Sequence, residues 1–473
     1  MISTISGLKS VSVFSGKIAV VMICLLLATA SNDANAQTRP NFIVIFTDDQ
    51  GYGDLGCYGH PTIKTPNIDR MASEGQRWTN FYVGANVCTP SRACLLTGRY
   101  GIRNGMFSAS GKRRVLFPDS QGGLPSTEIT IAKHLQRNGY RTACVGKWHL
   151  GHLNQYLPTN HGFDYYFGIP YSNDMDKSTT LEYYQAASIP KVEYFNVPLM
   201  QGSKIIERPA DQATITKRYT DEAIRFISEN KKRPFFIYLA HSMPHVPLFA
   251  SEDFKDKSER GLYGDVIEEI DWSVGQILNT LKREGLDKNT VVIFTSDNGP
   301  WSIFNENGGS AGPLFGAKGT SYEGGQRVPA IFWGPGKVKP GVISGIGSTL
   351  DLFPTISKLA GVALPNEISY DGYDISSVLR DNVPSPRKEM FFYHDDKIFA
   401  ARHGDFKLYF YSNNPTGYPE KLEKLDFYQL FNLQHDPSER FNIADKHAAV
   451  ITEILEMVKN HQATLKPSAS QLD

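Results

Sequence analysis

The sequence predicts an α/β sandwich, a large mixed, mostly parallel sheet between helices, followed by a smaller C-terminal α+β domain with a short antiparallel sheet. Three observations carry this. Apolar runs rich in β-branched and aromatic residues each end abruptly in polar groups: residues 41–46 run into Asp48 and Asp49, 235–240 into His241 and His245, and 290–295 into Asp297 and Asn298. Such runs read as strands buried on both faces. Helix-like stretches at 129–138, 214–230 and 264–284 alternate with them, and that alternation is the mark of a parallel sheet. Past residue 386 the helices give way to short strand-like runs.

Taken in chain order, the first 36 residues stand apart. Lys9 and Lys17 precede an apolar run at 18–30, and Ala34-Asn35-Ala36 places small residues at the usual cleavage positions. This predicts a secretory signal peptide cut near Ala36, and so an exported, periplasmic or secreted, protein. The run is too short to span a bilayer, so no membrane span is expected. Strand 41–46 opens the main domain and 140–145 reads as a further strand ending at Lys147. A helix-like stretch at 351–361 closes on Gly361, and the polar, proline-rich segment around 381–386 marks a boundary. The expected division is 1–36 signal peptide, 37–383 main domain and 384–473 C-terminal domain. In the last, runs at 390–393, 399–401 and 406–410 read as antiparallel strands, and 448–461 as a terminal helix.

The chain has 473 residues with 49 basic and 49 acidic side chains. That balance argues against nucleic acid as a partner. Of five cysteines, Cys24 lies in the signal segment, leaving Cys57, Cys88, Cys94 and Cys144. These are too few and too clustered for a disulfide framework, so the fold rests on its core.

The strand ends hold the chemistry. A hard divalent cation needs several oxygens from separate parts of the chain, and adjacent carboxylates at a strand end supply two. Asp48, Asp49, Asp297 and Asn298 fit that need, although Asp-Asp and Asp-Asn-Gly also form ordinary turns. Lys147, in Gly146-Lys147-Trp148-His149, and Lys318, in Ala317-Lys318-Gly319-Thr320, are candidate cations for an anionic substrate. His149 and His245 are candidates for proton transfer near neutral pH, and His241, at the same strand end as His245, for substrate contact. Ser172 lies in the turn-like Pro170-Tyr171-Ser172-Asn173-Asp174. In Cys88-Thr89-Pro90-Ser91-Arg92, Thr89 and Pro90 read as N-cap and first residue of a helix that carries Arg92 one turn beyond Cys88.

That pentapeptide, followed by Leu96-Thr97-Gly98-Arg99, resembles the signature of the type I sulfatases, in which a formylglycine-generating enzyme oxidises the cysteine to formylglycine. Gly146-Lys147-Trp148-His149-Leu150-Gly151 and Lys318-Gly319-Thr320 with Tyr322-Glu323-Gly324-Gly325 resemble the family's sulfate-binding segments, and the similarity runs from Pro40 almost to the C-terminus. The resemblance implies an alkaline-phosphatase-like sandwich and one Ca2+ held by Asp48, Asp49, Asp297, Asn298 and an oxygen of the converted Cys88. It implies that a hydroxyl of hydrated formylglycine attacks sulfur with Asp297 as base, and that Arg92 stabilises that residue. His245 with Lys318 would protonate the leaving alcohol, His149 would release the sulfate, and Lys147 and Ser172 would bind it. The expected substrate is a sulfated carbohydrate or other sulfate ester. A formylglycine-dependent phosphonate monoester or phosphodiester hydrolase is the alternative, and a non-catalytic carbohydrate-binding protein on the same scaffold the remote one. The family's lysosomal animal members carry more cysteines in their C-terminal parts, where this chain has none.

Overall fold

A computed structural model describes residues 39–108 and 113–472; the signal segment expected at 1–36 lies outside them. Ten strands form the large sheet: β1 (Asn41–Thr47), β2 (Gln76–Tyr82), β3 (Arg141–Gly146), β4 (Tyr165–Gly168), β5 (Leu199–Gln201), β6 (Lys204–Glu207), β7 (Phe235–Ala240), β8 (Thr290–Ser296), β9 (Ala330–Trp333) and β10 (Gly341–Ser348). Their spatial order is β10-β2-β9-β8-β1-β7-β3-β4-β5-β6. The central run β8-β1-β7-β3-β4 is parallel throughout, while β9, β5 and β6 pair antiparallel.

Every residue of β1, β7 and β8 is buried, because both faces are covered. Alternation sends Ile43, Ile45, Ile237 and Leu239 to one face, beneath α1 (Pro66–Glu74), and beneath the long helices described below. Phe42, Val44, Phe46, Phe236 and Tyr238 go to the other, beneath α2 (Cys88–Thr97), α3 (Ile131–Arg137) and a later helix of residues 352–359. Further helices used below are α4 (Ile215–Asn230), α5 (Leu262–Arg283), α6 (Leu352–Leu359) and α7 (Ala448–Ala463). α4 and α5 lie on the first face through Tyr219, Ala223, Ile267, Ile270 and Val274, positions spaced three and four apart that form one apolar helix stripe.

Register fixes what the strand ends deliver. Phe46 stands opposite both Ala240 and Thr295, and Ala240 opposite Gly146. The residues just beyond, Asp48, Asp297, Lys147 and the loop to His245, therefore emerge at one edge. In an open parallel sheet, that carboxyl edge is where a crevice forms.

The second sheet is antiparallel, in the order β11 (Glu389–His394), β12 (Lys397–His403), β13 (Phe406–Asn413), β14 (Leu422–Asn432). α7 covers it through Ile454 and Val458, and the same core joins Tyr82, Tyr100 and Leu350 of the main part to Phe392, Leu408 and Tyr409. Two readings are corrected. The helix starts at Cys88, with Val87 as N-cap, and Thr89 does not cap it because its hydroxyl donates to the His149 carbonyl at 3.0 Å. β14 went unread since its outer half, residues 422–429, is mostly exposed and carries no apolar alternation. Cys57, Cys88, Cys94 and Cys144 are all free thiols. No helix among the described residues is long and apolar enough to cross a membrane.

Candidate active site

Cys88 opens α2 and faces the strand ends, 2% exposed; burial pushes its thiol pKa up. One turn on, the fully buried Arg92 donates to Asp297 Oδ2 at 2.8 Å and the Lys147 carbonyl at 3.1 Å, and lies 3.4 Å from Asp48 Oδ1. A buried cation here is held because two carboxylates and a carbonyl replace its water.

The acidic residues converge. Asp48 Oδ2 accepts from Lys147 Nζ at 2.5 Å. Asp49, in a left-handed conformation at φ 63° that Asp tolerates, donates its N–H to Asp297 Oδ1 at 3.1 Å. Its carboxylate accepts from Asn298 Nδ2 at 2.7 Å and Lys318 Nζ at 2.8 Å. Burial pushes the Asp48 carboxyl up, but Lys147 and Arg92 outweigh it and hold it well below the ordinary range. Asp297 goes the other way: burial first, then the neighbouring Asp48, raise it to about 7 against the pull of Arg92.

Donor atoms of Asp48, Asp49, Cys88 and His245 lie within 4.8 Å of one another. Asp48 Oδ1 and Asn298 Oδ1 are buried and accept no hydrogen bond. Unpaired buried oxygens are costly, and a hard divalent cation is the partner such oxygens suit. Asp48, Asp49, Asp297 and Asn298, from two strand ends, thus fit an oxygen-liganded cation.

The cationic and imidazole groups ring the same place. Lys147 Nζ also donates to Ser172 Oγ at 3.0 Å. Lys318 Nζ sits 4.1 Å above the Trp301 ring; although burial opposes its charge, Asp49 keeps its pKa well above the usual lysine value. His149 Nε2 lies 2.8 Å from the Leu116 carbonyl, which makes it the protonated nitrogen of the neutral ring, and Nδ1 is buried without a partner. Burial and Lys147 hold His149 well below its ordinary pKa. His245 Nδ1 lies 2.5 Å from the Val246 carbonyl and Nε2 3.5 Å from Asp49 Oδ2; burial and Lys318 lower its pKa.

A cavity of about 230 Å3 opens over these groups, touched by Cys88, His149, Ser172, His245 and Lys318. His241 is not among its lining residues. Its ring lies beside Tyr219 of α4, and its Nε2 is 3.3 Å from Ser273 Oγ of α5, so it packs between helices and sheet instead of facing the cavity. Sequence reasoning passed over Asp174, Tyr183, Trp301 and Tyr418, which also line the cavity. Trp301 follows the Asp297-Asn298-Gly299-Pro300 turn and Asp174 lies two residues past Ser172, so proximity in sequence could have flagged both. Tyr418 comes from the β13–β14 connection, and no local signal announces it.

Residues 40–362 match the Sulfatase family model, and residues 385–473 match the C-terminal region of aryl-sulfatase. The chain is 39% identical to human arylsulfatase A over 467 residues, covering 93% of this chain and 90% of that one. It is 37% identical to N-acetylgalactosamine-6-sulfatase of Canis lupus familiaris, covering 96% and 91%. Among solved structures, the PsFucS1 sulfatase from Pseudoalteromonas sp. superposes with a TM-score of 0.81 at 30% identity, covering 92% of each chain. With these groups gathered at the carboxyl edge of its sheet and this likeness over nearly its whole length, the chain belongs to the sulfatase family and is a sulfuric ester hydrolase.

Proposed function

We propose that the protein is an exported sulfatase that removes sulfate from a carbohydrate, using formylglycine made from Cys88 and one Ca2+ held by Asp48, Asp49, Asp297 and Asn298 together with residue 88. The carrying observation is the convergence of Cys88 with Asp48, Asp49 and His245 donor atoms inside 4.8 Å. Formylglycine, once formed, supplies a hydrated aldehyde as nucleophile toward sulfur. Calcium, when bound, neutralises charge between the carboxylates and the sulfate oxygens. Because residue 88 is 2% exposed, a formylglycine-generating enzyme has to meet the chain before it folds.

The chain's own groups divide the remaining work. Asp297, at the strand end facing residue 88, is the carboxylate placed to take a proton from the nucleophile, and Arg92 fixes its orientation. Lys147 and Lys318 meet the negative oxygens of the ester, with Ser172 steadying Lys147. His149, neutral and with Nδ1 free, accepts a proton as sulfate departs. Burial and Lys318 lower the proton affinity of His245; an anionic ester beside it raises that affinity, so that it and Lys318 can donate to the leaving alcohol. The name of the relative acting on N-acetylgalactosamine 6-sulfate supports a sulfated sugar as substrate. Residues 37–383 would form the catalytic part, and 384–473 a second domain that supplies Tyr418 to the cavity wall.

Mass spectrometry of the tryptic peptide spanning residues 78–92, from protein co-expressed with a maturation enzyme, should show an aldehyde in place of the thiol. Converted protein should hydrolyse sulfated monosaccharides faster than an aryl phosphate diester. Converted protein that prefers the phosphodiester would overturn the assignment.

A further inference from the structure

The upper wall of the cavity holds a second set of groups. Asp174 lines the cavity, its Oδ2 accepts from Tyr183 at 2.6 Å, and its Oδ1 is buried without a hydrogen bond of ordinary geometry. Tyr183 stands beside Trp301 with ring centroids 6.4 Å apart, and Trp301 beside Tyr418 at 5.5 Å. The cavity wall thus joins an aromatic surface to a carboxylate whose second oxygen, near the Ser172 hydroxyl, has no hydrogen bond of ordinary geometry. Burial pushes the Asp174 carboxyl up, but nearby His245 and the hydroxyls of Tyr183 and Ser172 keep it below the ordinary value, so it stays an anion and a pure acceptor.

We infer that Asp174, set against the Trp301–Tyr418 wall, is a specificity-determining residue that accepts a hydrogen bond from a neutral hydroxyl on the sugar ring carrying the sulfate. This deepens the proposed function and rests on it. An anionic acceptor pairs with an O–H donor and rejects a second anion, so a ring bearing a carboxylate or another sulfate at that position is excluded. A hydroxylated pyranose offers both features the wall asks for: an apolar ring face for the aromatic side chains and hydroxyls at its rim. At about 230 Å3, the cavity lies below the usual range for drug-sized ligands, room for little beyond the ester and one ring.

The test compares kcat/KM of wild type, Asp174→Asn and Asp174→Ala, all converted at residue 88, on three esters: a hydroxylated monosaccharide sulfate, its deoxy analogue lacking the hydroxyl vicinal to the ester, and 4-nitrophenyl sulfate. Because Asp174 also stands near His245, all rates shift on substitution, and the ratios decide. Wild type should prefer the hydroxylated over the deoxy sugar by about 10- to 100-fold, the range for a hydrogen bond to a charged group. Asp174→Asn, which keeps the side-chain shape and a neutral acceptor, should shrink that preference by about five- to tenfold and lower the sugar-to-aryl ratio through KM. A preference unchanged by both variants, or a ratio of sugar to aryl rates that holds constant, overturns the assignment. Wild type that cleaves 4-nitrophenyl sulfate but no sugar sulfate would instead sink the carbohydrate reading on which it rests.

Discussion

At residue 88 a single buried side chain occupies the position proposed for the nucleophile, and its neighbours tie it to the strand ends. The thiol is pushed up by burial, so as a cysteine it is a poor nucleophile near neutral pH, a limit that the proposed conversion to formylglycine would remove. Cys88→Ala removes one buried sulfur and should keep the fold, with a thermal midpoint within a few degrees of wild type. Its turnover on sulfate esters should vanish; retained full activity would overturn the role of this position. Arg92 shows what the same turn of helix contributes: its guanidinium bonds Asp297 and the Lys147 carbonyl, tying the helix that carries Cys88 to two strand ends at once. Asp174 was passed over in the sequence for a physical reason. Pro-Tyr-Ser-Asn-Asp is an ordinary turn, and only burial beside an aromatic wall makes its free oxygen informative.

Among elements, the connection between β13 and β14 does the least expected work. Gly417, at φ 79°, lies so close to the loop bearing Lys318 that a Cβ would fall 2.0 Å from the Lys318 carbonyl oxygen. Gly417→Ala should therefore displace Tyr418 and Lys318 together, lowering kcat/KM and costing about 1–3 kcal/mol of stability from the left-handed backbone and the clash; urea unfolding with kinetics on one preparation checks both. β13 supplies a second tie. Lys407 is fully buried and bonds Glu323 at 2.9 Å with Glu439 at 3.3 Å, and Tyr82 donates to Glu323 at 2.6 Å. Burial alone would raise Glu323, but Lys407, Arg327 and Arg402 outweigh it and hold it at about 2. Its folded pKa is depressed, so its stabilisation is present above about 4.5 and is lost as pH falls toward 2. Lys407→Met leaves two buried carboxylates short of a cation and should cost about 3–5 kcal/mol. Thermal melts across pH 3–7 should show the gap between variant and wild type narrowing toward the acid end, where protonated Glu323 and Glu439 no longer call for a cation.

Over the whole molecule, two sheets and one parallel edge assemble a site that no single segment contains. If Asp48, Asp49, Asp297 and Asn298 hold calcium, the ion stabilises the folded state by mass action, about 2.7 kcal/mol at a hundredfold excess over Kd. Chelation should then lower both activity and thermal midpoint, and added Ca2+ should restore both; a midpoint indifferent to chelator would argue against a cation at this place. The strand-helix alternation, the polar strand ends and the motif around Cys88 are all legible in the amino-acid order, because a strand buried on both faces must be continuously apolar and must stop where it meets polar chemistry. Those signals are local, and they named Asp48, Asp49, Lys147, His149, His245, Asp297, Asn298 and Lys318 as the residues to watch. Only the tertiary structure decided that β1, β7, β8 and β3 lie side by side in one register, that His241 turns into the packing between α4 and α5 while His245 reaches the cavity, and that Tyr418 arrives from the far sheet. Neighbour order and side-chain direction depend on contacts between residues distant in the chain, and no local run of amino acids encodes them.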